Sequence, residues 1–314
     1  MKNWALWYRT FGEPEGVVRL EANELEPLKP GLIRVRMSIS PINPSDLIPM
    51  TGAYGHRVRP PLVAGYEGVG TVTEAAASAP HLVGKRVLPL RGIGTWQHHV
   101  DCDPAWAVPV PDDIDDHLAA RAYINPLAAF LMTRMWNPAG KRVLVTAAGS
   151  TCAGLLAQWA LTLGAREVIG IHRSPEHRPL LRRHGITPIE ASDAVEVAMQ
   201  ARGADLAFDA VGGTLASGVL DAMRKGALFV SYGLLSAAMY SVSERGPTPS
   251  RFHVRDQLEG LAPAPWQQWF LEMWPLLRQS YLPEIRSFPM ADWREALTLF
   301  RTPGRRFKPV LSFA

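Results

Sequence analysis

A chain of 314 residues has room for about two domains. With 47% hydrophobic and 20% charged residues, a net charge of +4 and no dense Lys/Arg block, it reads as an ordinary globular protein, and the composition argues against disorder or nucleic-acid coating. Two cysteines, Cys102 and Cys152, exclude a disulfide framework, and no apolar run reaches the ~18–20 residues of a membrane span. The first residues already read as folded structure, with no signal or transit peptide, so a cytoplasmic protein is the expectation.

Residues 1–40 alternate in the β sense: Trp4, Leu6 and Tyr8 share one parity, and Ile33, Val35, Met37 and Ile39 another. Residues 40–71 are rich in Pro and Gly and predict a long ordered loop or short helix, followed by a strand from about Glu67. Loops of that length in compact domains are commonly functional. Further strands are predicted over 86–88 and 96–100, so the chain to about residue 112 reads as a small all-β domain.

From Asp115 the period changes. Leu118, Ala119, Ala122, Leu127, Ala128, Leu131 and Met135 predict two helices, interrupted at Asn125-Pro126. Strands over 143–146, 168–171, 206–210 and 228–232 then alternate with helices, the mark of a parallel sheet. After Gly233 the pattern turns irregular through a Pro- and Trp-rich tract around 247–275, where Trp266, Trp269 and Trp274 suit core filling better than a pocket wall. A last strand over 307–313 is expected to return to the first domain.

The most informative stretch is KRVLVTAAGSTCAG, residues 141–154. A β-branched run leads into Ala147, Ala148, Gly149, Ser150 and Thr151, and Leu155, Leu156, Trp159, Ala160 and Leu163 then recur at helical spacing. Strand, small-residue turn, helix and strand make half of a dinucleotide-binding fold. The bare turn and the helix N-terminus present unpaired N–H groups to a diphosphate. The full G-x-G-x-x-G is absent, since four residues separate Gly149 from Gly154. The second strand ends His172-Arg173-Ser174, with Arg178 close behind and Glu176 the nearest acid in sequence. Cations in place of a ribose-binding acid suit a 2′-phosphate, so NADPH is expected over NADH.

Zinc sites need three or four convergent ligands. Two Cys about fifty residues apart and a His98-His99 pair on opposite faces of a strand do not supply them, so no metal is expected.

Several motifs in order now resemble one family. Residues 41–46 read PINPSD, 52–55 GAYG, 65–70 GYEGVG, 94–96 GTW, 125–129 NPLAA, 209–213 DAVGG and 231–233 SYG, with Lys308 in the closing strand. The chain resembles the medium-chain dehydrogenase/reductase superfamily, and within it the zinc-free 2-enoyl thioester reductases of mitochondrial type. Zinc-bearing relatives carry a His at Tyr66 and a Cys in the loop 43–46. The resemblance implies an α/β fold: a GroES-like β domain over 1–114, to which about 256–314 partly returns, and a Rossmann doubly wound parallel-sheet domain over 115–255. It implies an active site in the cleft between them, with Tyr54, Asn43 and Trp96 as its catalytic residues and Tyr54 as the catalytic phenol. Cofactor contacts carry over to Asn125, Gly149, Ser150, Thr151, Gly154, His172, Arg173, Ser174, Arg178, Tyr232, Gly233, Leu234 and Lys308. The sequence departs from the family at His172-Arg173-Ser174, where Arg-Asp-Arg is frequent, at Ala128, frequently Thr, and across 235–275.

The activity so implied is NADPH-dependent reduction of an activated C=C bond in a small-molecule substrate linked to CoA or a carrier protein. A homodimer is expected, with no membrane or nucleic-acid partner. A quinone oxidoreductase on the same fold is the alternative. A non-catalytic nucleotide- or RNA-binding member of the fold is another.

Overall fold

The structure, a computed structural model, describes residues 1–91 and 94–313. It divides into two compact units: Met1–Ile124 with Ala262–Arg278 and Pro283–Ala314, and Asn125–Leu261 with Gln279–Leu282.

The first unit is built from two sheets. Lys2–Tyr8 lies between Val18–Glu24 and Leu62–Val63 in the smaller. The larger runs Ile285–Pro289, Lys308–Ser312, Ile33–Pro41, Val69–Ala75, Arg86–Leu88 and Val108–Pro109, with His99–Cys102 also pairing Ile33–Pro41. The C-terminal strand therefore sits beside Ile33–Pro41, as the sequence led one to expect. Ile33, Val35, Met37 and Ile39 are all buried, whereas Trp4, on the parity of buried Leu6 and Tyr8, faces solvent.

The tract that reads as irregular holds a sixteen-residue helix, Pro263–Arg278. Pro263 and Pro265 lie in its first turn, where no main-chain N–H is needed, so they start the helix instead of breaking it. Trp266, Phe270, Met273, Trp274 and Leu277 form its buried stripe, and Trp269 is half-buried. The Trp266 indole donates to Trp106 O at 3.0 Å and its ring meets Tyr123, Trp106 and Phe270 edge-on, so these tryptophans fill a core.

The second unit is a six-stranded, wholly parallel sheet: Thr187–Glu190, Glu167–His172, Arg142–Val145, Leu206–Asp209, Leu228–Ser231 and Pro249–Arg251. Numbered along the chain that order is 3-2-1-4-5-6, the doubly wound arrangement whose ligand crevice opens where the winding reverses. Here that point lies at the C-terminal ends of Arg142–Val145 and Leu206–Asp209. The strands read from sequence agree within a residue or so; Pro249–Arg251, only three residues long, was not signalled. The break between the two helices falls at 120–123, and Asn125-Pro126 instead lies in the first turn of Ile124–Met135, again where a proline costs no hydrogen bond.

The GYEGVG motif depends on close packing. Gly65 has φ +89°, and a Cβ there would lie 2.3 Å from Trp96 Cδ1 and 2.5 Å from Thr95 Oγ1. Gly65→Ala combines left-handed strain with a clash against an enclosed indole. It is expected to lower the unfolding free energy in urea by at least about 2 kcal/mol.

Candidate active site and cofactor turn

In the first unit a short helix, Pro44–Leu47, brings the PINPSD loop against the GYEGVG motif. The Asp46 carboxylate accepts the N–H groups of Asn43 (2.7 Å) and Tyr66 (2.9 Å). Asn43 Nδ2 donates to Glu67 Oε1 at 2.7 Å, and Glu67 Oε2 accepts the N–H groups of Ile124 (2.7 Å) and Tyr123 (3.1 Å). Lys308 completes the chain: its Nζ donates to Asn43 Oδ1 at 2.6 Å. All four side chains are buried.

Burial drives the ionisation of this group toward neutrality. Desolvation pushes Asp46 up to about 7, against the pull of its N–H donors and the Lys308 charge. The same cause raises Glu67 and brings Lys308 down to about 8. Lys308, expected as a cofactor contact, is thus committed inside the unit. The loop 43–46 and Tyr66, where the family resemblance puts zinc ligands, hold Asn43, already engaged, and a partly exposed tyrosine. Among the described residues no three His, Cys, Asp or Glu side chains converge in a metal-binding group.

Tyr54 lies on the turn that follows Ile48–Thr51. Its carbonyl accepts the N–H groups of Arg57 and Val58, both at 2.9 Å, and its ring is half-buried. The turn curls Arg57 back over the phenol, with the guanidinium carbon 3.9 Å from the ring centroid. Underneath, Phe11 packs against Gly52 and Gly55. Trp96 takes a different role from the one expected. It is fully enclosed, donates to Pro41 O at 3.4 Å and packs on Gly65, so it shapes the loop.

The second unit supplies the turn. Ala147 adopts φ 52°, Ser150 caps the helix Thr151–Thr162 by accepting the Ala153 N–H, and Gly154 N donates to Ser150 O at 2.8 Å. Gly149 and Gly154 are not equivalent: a Cβ on Gly149 would strike the His177 ring at 2.3 Å, whereas one on Gly154 finds only Ala148 O at 3.9 Å. Beside the turn, Thr146 Oγ1 donates to Asp209 Oδ1 (2.7 Å) and accepts the Ala210 N–H (2.9 Å), tying the two strand ends of the crevice together. Tyr232 N donates to Asp209 O at 2.8 Å. The Tyr232 phenol is buried beside the Cys152 thiol, and desolvation raises both, Cys152 to about 12. Gly233 follows against the Ala210 backbone, Leu234 is exposed, and Asn125 is half-buried near the start of its helix.

At the second strand's tip Arg173 is exposed and Ser174 half-buried, but His172 is enclosed and burial holds its imidazole toward the neutral form. The acid missing from this tip comes from the next strand: Glu190 pairs with His172 in register and binds Arg178 at 2.7 Å. Sequence distance concealed that partner, as it concealed Lys308, Glu67 and Asp46 as one group. A pattern of neighbours in sequence carries no signal for either.

Residues 29–112 match the family described as alcohol dehydrogenase GroES-like domain, and 153–273 the zinc-binding dehydrogenase family. A solved Bacillus thuringiensis structure, assigned as an NADPH:quinone reductase, shares 35% identity with a TM-score of 0.93, covering 99% of each chain. The chain belongs to the medium-chain dehydrogenase/reductase superfamily. Another superfamily relative is human mitochondrial enoyl-[acyl-carrier-protein] reductase, 27% identical over 98% of this chain and 88% of the relative. An enoyl thioester reductase from Candida tropicalis has the same fold, with TM-score 0.83, 18% identity and coverage of 99% of this chain and 100% of that one. No helix among the described residues is long and apolar enough to cross a membrane.

The buried group makes two measurable statements. Removing the ammonium while keeping the stem, Lys308→Met, leaves two enclosed carboxyl groups without their cation and is expected to cost about 3 kcal/mol in urea unfolding. Asp46 holds its proton to about pH 7 in the fold but only to about 4 unfolded, so the folded state binds more protons in that window. Its contribution is therefore full below the unfolded value and is lost as pH rises through the folded one. Asp46→Asn is expected to flatten that fall; an unchanged slope would assign the proton to another group.

Proposed function

We propose that this protein is an NADPH-dependent reductase of carbon–carbon double bonds conjugated to a carbonyl, 2-enoyl thioesters foremost, with Tyr54 as its proton donor or enolate-stabilising group. The observation that carries the reading is the occurrence in one chain of the Tyr54 loop and the bare turn at 149–154. The first stands on a unit in which the loop 43–46 and Tyr66 occupy the places where the family resemblance puts zinc ligands, and the second at the reversal point of a doubly wound sheet. Whole-chain similarity to the human enoyl reductase supports the substrate class.

The turn fits the dinucleotide: Gly149 carries no side chain of its own, and the Thr151–Thr162 helix starts directly after it. NADPH, when bound, supplies the hydride. Gly149, Ser150, Thr151 and Gly154 would hold its diphosphate, with Arg173 and Ser174 toward the adenosine phosphate and Asn125, Tyr232, Gly233 and Leu234 toward the nicotinamide.

In the substrate, hydride addition at the β-carbon moves the π pair onto the thioester oxygen as an enolate. A proton added at the α-carbon then completes the second C–H bond. A phenol is a hydrogen-bond donor, so Tyr54 can hydrogen-bond that oxygen or deliver the proton. Arg57, stacked on the ring, limits the rotation of the phenol and adds positive charge beside a developing anion. The homodimer expected from the family resemblance is part of the same reading.

Quinone reduction is the second reading, favoured by the 35% identity to the Bacillus thuringiensis protein. It uses the same hydride addition to a conjugated carbonyl. The two separate on a panel of crotonyl-CoA, crotonyl carrier protein and benzoquinones, each with NADPH and NADH, followed by nicotinamide absorbance. The first reading expects NADPH oxidation on the thioesters. It also expects Tyr54→Phe to lower kcat at least about tenfold with NADP⁺ affinity unchanged. Full rate in that variant, with quinones preferred, would transfer the case to the second.

A further inference from the structure

The turn that carries Tyr54 is basic throughout. Residues 51–61 hold His56, Arg57 and Arg59, all exposed, and no acidic residue. Two main-chain bonds fix their arrangement: the Tyr54 carbonyl accepts the N–H groups of Arg57 and Val58, both at 2.9 Å. Residues three apart on such a turn share a face. Arg57 therefore lies over the phenol, its guanidinium carbon 3.9 Å from the ring centroid, and His56 meets the same ring edge-on at 6.4 Å between centroids.

The acids nearest this charge are committed elsewhere. The segment 9–15 runs against the turn, where Gly12 N donates to Met50 O at 2.9 Å and Phe11 packs on Gly52. It brings Glu13 and Glu15, and Arg301 binds both, at 3.4 and 2.8 Å. Glu21, on the strand that follows, is held by Arg9 at 2.6 Å. Among the described residues no carboxylate pairs with Arg57 or Arg59. A guanidinium stacked by its face keeps its N–H groups free at the edges, in the planar fork that matches a carboxylate. Arg57 thus presents a two-point anion contact beside the hydroxyl assigned to the reacting carbonyl. The stack also holds the side chain in place, so less freedom is lost when an anion pairs with it.

Resting on the function proposed above, we propose that Arg57 selects the substrate: its guanidinium binds a free carboxylate on the acceptor, close to the double bond that is reduced. The acceptor class is then anionic, a half-thioester of an unsaturated dicarboxylic acid or a 4-oxo-2-enoate. In both, a carbonyl and a carboxylate flank one C=C bond, as a phenol and a guanidinium stand side by side on this turn. The carboxylate takes no part in the bond changes. Hydride still goes to the carbon β to the thioester or ketone, and the proton to the α-carbon. An unsubstituted acyl chain offers Arg57 no charge-assisted contact.

The test uses matched pairs: (E)-4-oxopent-2-enoate and its methyl ester, and the N-acetylcysteamine half-thioester of fumarate and its methyl ester. With NADPH, kcat and KM are measured on the wild-type chain, Arg57→Gln, Arg57→Lys and Arg59→Gln. Binding of the reduced product 4-oxopentanoate and of its methyl ester is read by ligand-observed NMR, and melting temperatures report that each variant is folded. The wild type should bind each acid at least about fivefold better than its ester, in KM and in product binding. Arg57→Gln should lower the acid-to-ester ratio of kcat/KM at least about fivefold; a rate loss common to both partners cancels in that ratio. Arg57→Lys should keep part of the preference, since an ammonium restores the charge but not the fork. Arg59→Gln should leave the ratio within about twofold. No preference in the wild type, or an unchanged ratio in Arg57→Gln, overturns the proposal. So does an equal fall in Arg59→Gln, which assigns the effect to the general charge of the loop. A wild-type chain that reduces no member of either pair, nor crotonyl-CoA, removes the reductase reading instead, and the product-binding ratio then decides the Arg57 contact by itself.

Discussion

One enclosed ammonium organises the first unit. Lys308 arrives on the C-terminal strand, some 265 residues from Asn43, and joins it through a 2.6 Å hydrogen bond. Asn43 passes the connection to Glu67, and Glu67 holds two main-chain N–H groups at 123–124. A buried lysine is costly unless carboxylates and dipoles surround it, and a buried carboxylate is costly without a cation. Each member is therefore tolerable only because the others are present. The result pins the PINPSD loop, the GYEGVG motif and the closing strand to one another.

Asn43 is engaged on both ends of its amide, by Glu67 and by Lys308. Tyr54 with Arg57 above it places a hydroxyl donor and a cation in one compact turn. In the second unit the equivalent organising contact is Thr146 with Asp209. It bridges the first and fourth strands where the winding reverses and so sets the floor from which the phosphate turn rises. A carboxylate already satisfied by Thr146, Val211 and Gly212 serves geometry there, not proton transfer.

Residues read well from the sequence were those whose behaviour depends on near neighbours. The strands at 142–145, 167–172, 206–209 and 228–231 were legible because β-branched runs buried on both faces look alike anywhere. Prolines misled where their position within an element mattered more than their presence. Pro126, Pro263 and Pro265 sit in first turns, the one part of a helix that tolerates them, and so the helix Pro263–Arg278 was hidden. Trp96 misled in another way: a motif position says that a residue matters, and its enclosure against Gly65 says that it matters for packing.

By itself the sequence determined the two-part architecture, the bare turn at 149–154 and the Tyr54 loop. These follow from local periodicity, from residues without side chains and from motifs a few residues long. Only the tertiary structure decided that Lys308 is internal, that Glu190 pairs with Arg178 and that His177 lies over Gly149. The physical reason is common to all three. Ion pairing and steric contact act over a few ångströms in space, whatever the separation along the chain, so the partner of a charged or bulky side chain is chosen by the fold.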